Sequence, residues 1–563
     1  MKNFKKLLKK YNIDGYIIPK NDEYFNEYVR SSNNRLKFIS NFTGSAGFAV
    51  IFKSKNYLFT DGRYTIQARN QSGKNFKIIT MPINFPKDVL KFNKKTVLGF
   101  DPNLHTEKQL NSLFRIKNVY LKSIKQNLVD MIWPKKQKNL IKPFYSISSK
   151  NAGATSLKKI WQVKNILCKN KIDYLLVTAP ENVAWILNIR GQDSSFSPIP
   201  NARLLLSKTG EIHLFTNPKK LINLKKFKMY CLDEKKVEKI LNRISRKRIW
   251  LDSFSCSFFY KSLLSKKNDI VDRIDPIYFF KSIKNNTEIK NMKKTHLTDG
   301  VALTKFLFWL KKNFKSKKIT EISAQKKLES FRKMHPSYKF PSFNTISGSG
   351  PNSAIIHYKA SAKSNRALKK GELYLVDSGG QYSFGTTDVT RTISLENKSN
   401  YIKEIYTRVL KGHIAVSNFK IKKNSTGSQV DQNARKFLKK IKLDYPHGTG
   451  HGVGYFLNVH EGPQSLSKNN KVNLKNGMIL SNEPGYYKEG AFGIRIENLL
   501  YIKKNRFEEL TMAPIEKDLI NKKILNNIEV KWLNNYHKKV KKNLSRFMNL
   551  QEKVDLLKAC SPI

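Results

Sequence analysis

A weak internal repeat constrains this chain more than any other feature, because it dictates two similar folding units in the first half. A helical stretch near the N-terminus leads into Ile13-Asp14-Gly15-Tyr16-Ile17-Ile18, an apolar run of strand type. Then come Phe38-Ile39-Ser40-Asn41-Phe42-Thr43-Gly44 and a strand pair over residues 48–52 and 57–61. From residue 157 the order returns. Residues 157–167 carry helical spacing, 172–177 mirror the first strand, Trp185-Ile186-Leu187-Asn188 mirrors the Phe38 segment, and 204–215 read as a hairpin. Strands alternating with helices in this way predict two α/β units in tandem.

The rest of the chain needs further cores, because 563 residues exceed the ~250–300 at which one core stops growing. A Lys- and Gln-rich stretch over residues 134–143 reads as the end of the first unit, and Pro276 marks the end of the second. The expected domains are 1–140, 150–277 and 283–505, with a helical, Lys-rich extension over 506–563. The third region opens on an amphipathic helix that Asn286 is expected to cap, with Ile289, Met292, Val301, Leu303 and Phe306 on its apolar face. In the extension, Trp532, Leu533 and Tyr536 are the expected packing residues.

Two acidic hairpins stand out in the third region. One runs through Leu375-Val376-Asp377-Ser378-Gly379-Gly380 and returns through Thr387-Asp388-Val389-Thr390. With a turn on Tyr382-Ser383, Asp377 and Asp388 fall opposite each other on one face. The other runs through Leu480-Ser481-Asn482-Glu483, turns around Gly490, and returns through Ile494-Arg495-Ile496-Glu497, placing Glu483 opposite Glu497. Carboxylates among apolar neighbours repel one another and lose hydration unless cations neutralise them. Between the hairpins lie His447-Gly448-Thr449-Gly450-His451-Gly452 and Val459-His460-Glu461-Gly462, and upstream His357 follows Ser349-Gly350-Pro351-Asn352. Two Asp, two Glu and one His make an oxygen-rich donor set that suits hard or borderline cations, Mn²⁺ above thiol-loving metals. Each piece alone has a plain structural explanation: Asp before Gly forms turns, and the glycine run is no phosphate loop because no Lys-Ser/Thr follows. Together they are a candidate site.

At these residues the chain resembles the pita-bread metallopeptidases of family M24B, and within them the three-domain Xaa-Pro aminopeptidases. The resemblance extends to Thr60-Asp61-Gly62-Arg63-Tyr64 and to Trp532-Leu533-Asn534. It implies two creatinase-like α/β domains, an α+β pita-bread catalytic domain, and hydrolysis of an N-terminal Xaa-Pro bond through a hydroxide shared by two divalent ions. It further implies Asp377, Asp388, His451, Glu483 and Glu497 as metal ligands, with Glu483 also moving a proton. His357, His447 and His460 fall on the substrate side, and Tyr487 and Arg495 around the proline pocket. The implied partners are peptides with proline second and another copy of the chain in a homodimer. An Xaa-Pro dipeptidase shares the donor set and differs in substrate length. A methionine aminopeptidase lacks the two leading domains. A non-catalytic binding protein of this fold is marked by lost ligands, and all five are present here.

Charge raises a different possibility. Lys and Arg number 106 against 42 Asp and Glu, a formal +64, enough to draw a protein toward polyanions. The lysines recur with asparagine and isoleucine throughout rather than in one stripe, the pattern of an AT-rich genome, so no specific nucleic-acid site is expected. Four scattered cysteines, Cys168, Cys231, Cys256 and Cys560, form no CxxC pair and no disulfide framework. The basic N-terminus lacks an uninterrupted apolar run, and the greasiest later stretch, 301–310, is short and contains Lys305. A cytoplasmic protein with no membrane partner is expected.

Overall fold

The computed structural model describes residues 1–133, 140–224, 229–316 and 318–563. Most of the linker expected over 134–143 therefore lies outside the described residues. Two compact units emerge, Met1–Phe279 and Phe280–Ile563.

The first unit contains the repeat. Its leading sheet comprises β1 (Gly15–Pro19), β2 (Phe48–Phe52), β3 (Asn56–Asp61), β4 (Lys77–Met81), β5 (Thr96–Phe100) and β6 (Val119–Ser123), ordered β4-β3-β2-β1-β5-β6. The second sheet comprises β7 (Tyr174–Val177), β8 (Arg203–Ser207), β9 (Ile212–Thr216), β10 (Tyr230–Asp233), β11 (Arg248–Leu251) and β12 (Asp269–Asp272), ordered β10-β9-β8-β7-β11-β12. Position by position the orders coincide. In each sheet the first strand pairs antiparallel with the second and parallel with the fifth. The Phe38 and Trp185 segments are both helices, Arg35–Ser40 and Pro180–Leu187, and both end on a left-handed asparagine, Asn41 (φ 64°) and Asn188 (φ 52°). Asparagine tolerates that conformation better than most residues, which is why the repeat shows there in sequence.

The second unit begins on the helix Asn286–Asn313, whose cap is Asn285 rather than Asn286. Asn285 accepts the Glu288 N–H, and the Glu288 carboxylate reaches back to the Asn285 N–H, so the reciprocal pair selects the earlier asparagine. Around it lie β13 (Tyr338–Pro341), β14 (Ile346–Ser349), β15 (Leu373–Ser378), β16 (Gly380–Tyr382), β17 (Gly385–Thr386) and β18 (Val389–Ser394). After the paired helices Asn400–Ser417 and Gly427–Lys439 come β19 (Gly450–Gly452), β20 (Glu461–Leu466), β21 (Ile479–Asn482), β22 (Gly485–Lys488), β23 (Phe492–Arg495), β24 (Asn498–Lys503) and β25 (Arg506–Glu509). The strands form sheets β13-β16-β17, β14-β15-β18 and β20-β19-β21-β24-β25, with the pair β22-β23 apart. The expected tail helix is Asn527–Leu544. Its Leu533, Tyr536 and Val540 enter the same core as Ile405, Val409 and Leu410, so the extension is structural to this unit. Trp532 stacks on Tyr536 at 5.5 Å. Among the described residues no helix is long and apolar enough to cross a membrane.

Candidate metal centre

The first acidic hairpin folds as expected but in a different register. β15 and β18 pair with Asp377 opposite Thr390 and Ser378 opposite Val389, so Asp388 is not directly across from Asp377. The reason is the turn. Tyr382 pairs with Gly385, which centres the reversal on Ser383-Phe384, one residue beyond the expected Tyr382-Ser383. Asp388 lies two residues before Thr390, just outside the strand, and stays on the side that Asp377 occupies. In the second hairpin the β21–β24 ladder ends on the pair Asn482–Asn498, and the β22–β23 ladder begins on Gly485–Arg495. Glu483 and Glu497 fill the gap between the two ladders at matching positions.

These elements bring the acidic groups to one place. Ligand atoms of Asp388, His451 and Glu497 lie within 4.8 Å of one another. His451 Nε2 is 3.4 Å from Asp388 and 3.5 Å from Glu483. The other ring nitrogen, Nδ1, contacts the Gly452 carbonyl at 2.9 Å, which places the proton on Nδ1 and leaves the Nε2 lone pair facing the carboxylates. Burial, then the charges of Asp377 and Glu483, pushes the Asp388 carboxyl well above the usual carboxylate range. Glu497 is raised likewise, by burial and then by Asp388 and Asp377. The buried Oδ1 of Asp377 has no hydrogen-bond partner among the described residues. A cluster of mutually repelling carboxylates, one with an orphaned buried oxygen, beside an imidazole lone pair is the donor chemistry of a site for divalent cations.

Around the cluster lie other residues singled out in the sequence. His460 sets its ring 4.3 Å from that of His451, nearly edge-on. His447 Nε2 meets the Tyr487 hydroxyl at 2.9 Å, and its Nδ1 lies 4.0 Å from Glu483. Arg495, fully buried, donates to the Tyr487 hydroxyl at 2.6 Å, to Asp377 Oδ2 at 2.6 Å and to the Ile356 carbonyl at 3.5 Å, beside His357. Glycines let the backbones close on this point. A Cβ on Gly450 would stand 1.9 Å from the Ser481 carbonyl oxygen.

Sequence profiles match over almost the whole length. Metallopeptidase family M24 covers residues 290–504, and the C-terminal region of peptidase M24 covers 504–563. The creatinase/prolidase N-terminal domain matches twice, over 1–131 and 134–288. A Laccaria bicolor protein named "Probable Xaa-Pro aminopeptidase P" is 37% identical over 571 residues, covering 95% of this chain and 88% of its own. The chain belongs to metallopeptidase family M24. Among solved structures, an X-prolyl aminopeptidase of Caenorhabditis elegans, described as a cytosolic enzyme with a di-nuclear active site, is similar to this M24 chain. It superposes with a TM-score of 0.91 at 30% identity, over 98% of this chain and 95% of its own. A prolidase of Pyrococcus horikoshii superposes with a TM-score of 0.53 at 26% identity, over only 64% of this chain and 99% of its own.

Several supports of this M24 site were not anticipated from sequence. The Thr390 hydroxyl donates to Glu497 Oε2 at 2.8 Å, and Ser481 Oγ donates to Glu483 at 3.1 Å while accepting the His451 N–H at 2.9 Å. Arg391, 1% exposed, donates to the carbonyls of Thr390, Glu497, Ala513 and Pro514, to Asn498 Oδ1 and to the Tyr536 hydroxyl. An arginine in the middle of the β-branched strand Val389–Ser394 was the available signal, since a buried guanidinium needs several acceptors.

Proposed function

We propose that this chain is a metal-dependent aminopeptidase that hydrolyses the bond between an N-terminal residue and a following proline. The convergence of Asp388, His451 and Glu497 beside the orphaned oxygen of Asp377 carries this reading, in a chain that Xaa-Pro aminopeptidases match end to end. Two divalent ions, Mn²⁺ by the hardness of the donors, would be held by Asp377, Asp388, His451, Glu483 and Glu497 and would supply Lewis acidity and a nucleophilic water at neutral pH. Glu483 is half-buried at the rim of the cluster, where it can receive a proton and return it to the leaving nitrogen. His357, His447 and His460 face the peptide and donate to oxygens that gain charge during hydrolysis. Tyr487 and Arg495 close the proline side. Proline brings no amide N–H to the scissile bond, so a site for it recognises the ring instead of that donor.

The same reading places the enzyme in the cytosol as a homodimer, both on family resemblance, with no specific nucleic acid and no membrane as partners. A dipeptidase has the same donor set, but the prolidase superposition leaves a third of this chain unmatched. The deciding experiment loads the protein with Mn²⁺ and compares Arg-Pro-Pro, Arg-Ala-Pro and the dipeptide Arg-Pro, with metal content measured in parallel. Release of arginine from Arg-Pro-Pro far above the other two is expected, with two ions per chain. Equal kcat/KM for proline and alanine overturns proline specificity, and preference for Arg-Pro makes the enzyme a dipeptidase.

A further inference from the structure

The segment between Ser349 and Arg366, which carries His357, has little regular structure of its own. Its only helical element is the 3₁₀ turn Gly350–Ala354. A histidine that must meet a reacting peptide needs a fixed backbone, so what holds this segment matters. The geometry points to Glu321 as the positioning residue that holds His357 at the centre, which rests on the reading of His357 as a substrate-side group.

Glu321 is the first residue of the helix Glu321–Lys333 and is wholly buried. No cation pairs with its carboxylate among the described residues. Its partners are neutral donors, all from the His357 segment. Oε1 accepts the Ser349 N–H at 2.8 Å and Asn352 Nδ2 at 3.0 Å. Oε2 accepts the Tyr358 hydroxyl at 2.7 Å, the Arg366 N–H at 2.9 Å and Asn352 Nδ2 at 3.1 Å. The donors bracket His357, two before it in sequence and two after, and Tyr358 is its immediate neighbour. The Glu321 carbonyl also accepts Ser347 Oγ at 2.7 Å, fixing the strand that leads into the segment. Between these ties, Ile356 offers its carbonyl to Arg495, the same guanidinium that pairs with Asp377. The segment is thus tied to a buried anion at both its ends and, through Ile356 in its middle, to a cation at the cluster.

A buried carboxylate with only neutral donors is costly to keep unless each bond is made. Helix N-termini do favour an acidic side chain, but that alone calls for an exposed one. Here the anion organises a loop. None of these partners is a carboxylate or imidazole of the cluster, so the effect of Glu321 on catalysis passes through the His357 segment.

The test is a double-mutant cycle on the Mn²⁺-loaded enzyme with Arg-Pro-Pro: wild type, Glu321→Gln, His357→Ala and the pair. The glutamine keeps the size but turns one acceptor into a donor facing donors. Glu321→Gln is expected to lower kcat by roughly 10- to 100-fold, the scale of a misplaced catalytic group, with KM and metal content little changed. In the His357→Ala background that loss is expected to vanish, because the histidine it positions is gone. Additive losses overturn the positioning role and leave the proposed activity standing. A His357→Ala enzyme with wild-type kcat removes the histidine's role, and the inference with it. If Glu321→Gln does not fold, Tyr358→Phe deletes one donor and leaves the carboxylate intact. It is expected to lower kcat several-fold with the same dependence on His357, and additivity there overturns the inference equally.

Discussion

Asp388 and Glu497 each suffer the repulsion of the other carboxylates, so removing either takes away a proposed ligand and relieves that repulsion in the empty fold. Asp388→Ala and Glu497→Ala are therefore expected to reduce activity below a few per cent and to lower bound metal, with thermal stability in chelator unchanged or raised. His460→Ala makes the contrast. Its ring packs on His451 but lies outside the group whose ligand atoms converge. This variant is expected to keep its metal and to lose ~10²-fold in kcat, the scale of a lost transition-state contact. Metal analysis with steady-state kinetics separates the two classes, and metal loss in His460→Ala would make that histidine a ligand. These side chains were legible in sequence because a carboxylate in an apolar strand and a histidine in a glycine run are anomalies of residue type. Thr390 and Ser481 were not legible. They are ordinary strand residues until the partner, 107 positions away for Thr390 and two for Ser481, is seen to be a carboxylate of the cluster.

At the scale of elements, the two hairpins show what alternation can and cannot fix. Period-two patterning puts Thr390 and Asp388 on one side of their strand, and either of the two-residue turns puts Asp377 on that side with them. The turn chooses the pairing. Tyr382-Ser383 and Ser383-Phe384 differ by one residue, which moves the partner of Asp377 from Asp388 to Thr390, and neither pair carries the glycine or asparagine that would have marked the reversal. Gly490 in the second hairpin, at φ 73°, gave that mark, and there the register is the expected one, with Glu483 and Glu497 at matching positions between the two ladders rather than paired in either. Close approach between β19 and β21 has a measurable consequence. Gly450→Ala drives a methyl group against the Ser481 carbonyl, and moving that backbone displaces the Ser481 hydroxyl from both His451 and Glu483. A stability loss of about 1–3 kcal/mol is expected, with metal affinity falling more than thermal stability predicts. Calorimetry and metal titration check the pair of effects, and an alanine variant with wild-type metal affinity would show that the approach is not needed by the site.

For the whole molecule, stability on the acid side is set in part by histidines the chemistry does not use. Burial, then the nearby lysine and arginine charges, lowers the His537 pKa to about 3, and its Nε2 accepts the Ile515 N–H at 3.1 Å. His413, equally enclosed, is lowered to about 3. A histidine held neutral in the fold protonates first in the unfolded chain. Its stabilisation is therefore complete above the unfolded value near 6.5 and drains away as pH falls from there toward 3, at about 1.4 kcal/mol per pH unit for each group. His537→Gln, which can still accept from Ile515, is expected to flatten the fall of stability between pH 6.5 and 4 by that slope, read by denaturant unfolding across pH. An unchanged slope means that His537 is already protonated in the fold. The tandem repeat was legible at this scale because both copies keep helix, strand and asparagine in order, and the packing of the tail through Leu533 and Tyr536 was legible too, whereas the polar ties from the tail to the metal centre were not, since a buried arginine makes them. Arg391 holds the Glu497 carbonyl only while its other hydrogens are spoken for by Ala513, Pro514 and Tyr536. On the ribosome, where chains fold from the N-terminus, every proposed metal ligand emerges before those acceptors do. The centre thus cannot set until translation has passed the tail helix, and a nascent chain released short of residue 536 carries all its proposed ligands without the frame that aims them.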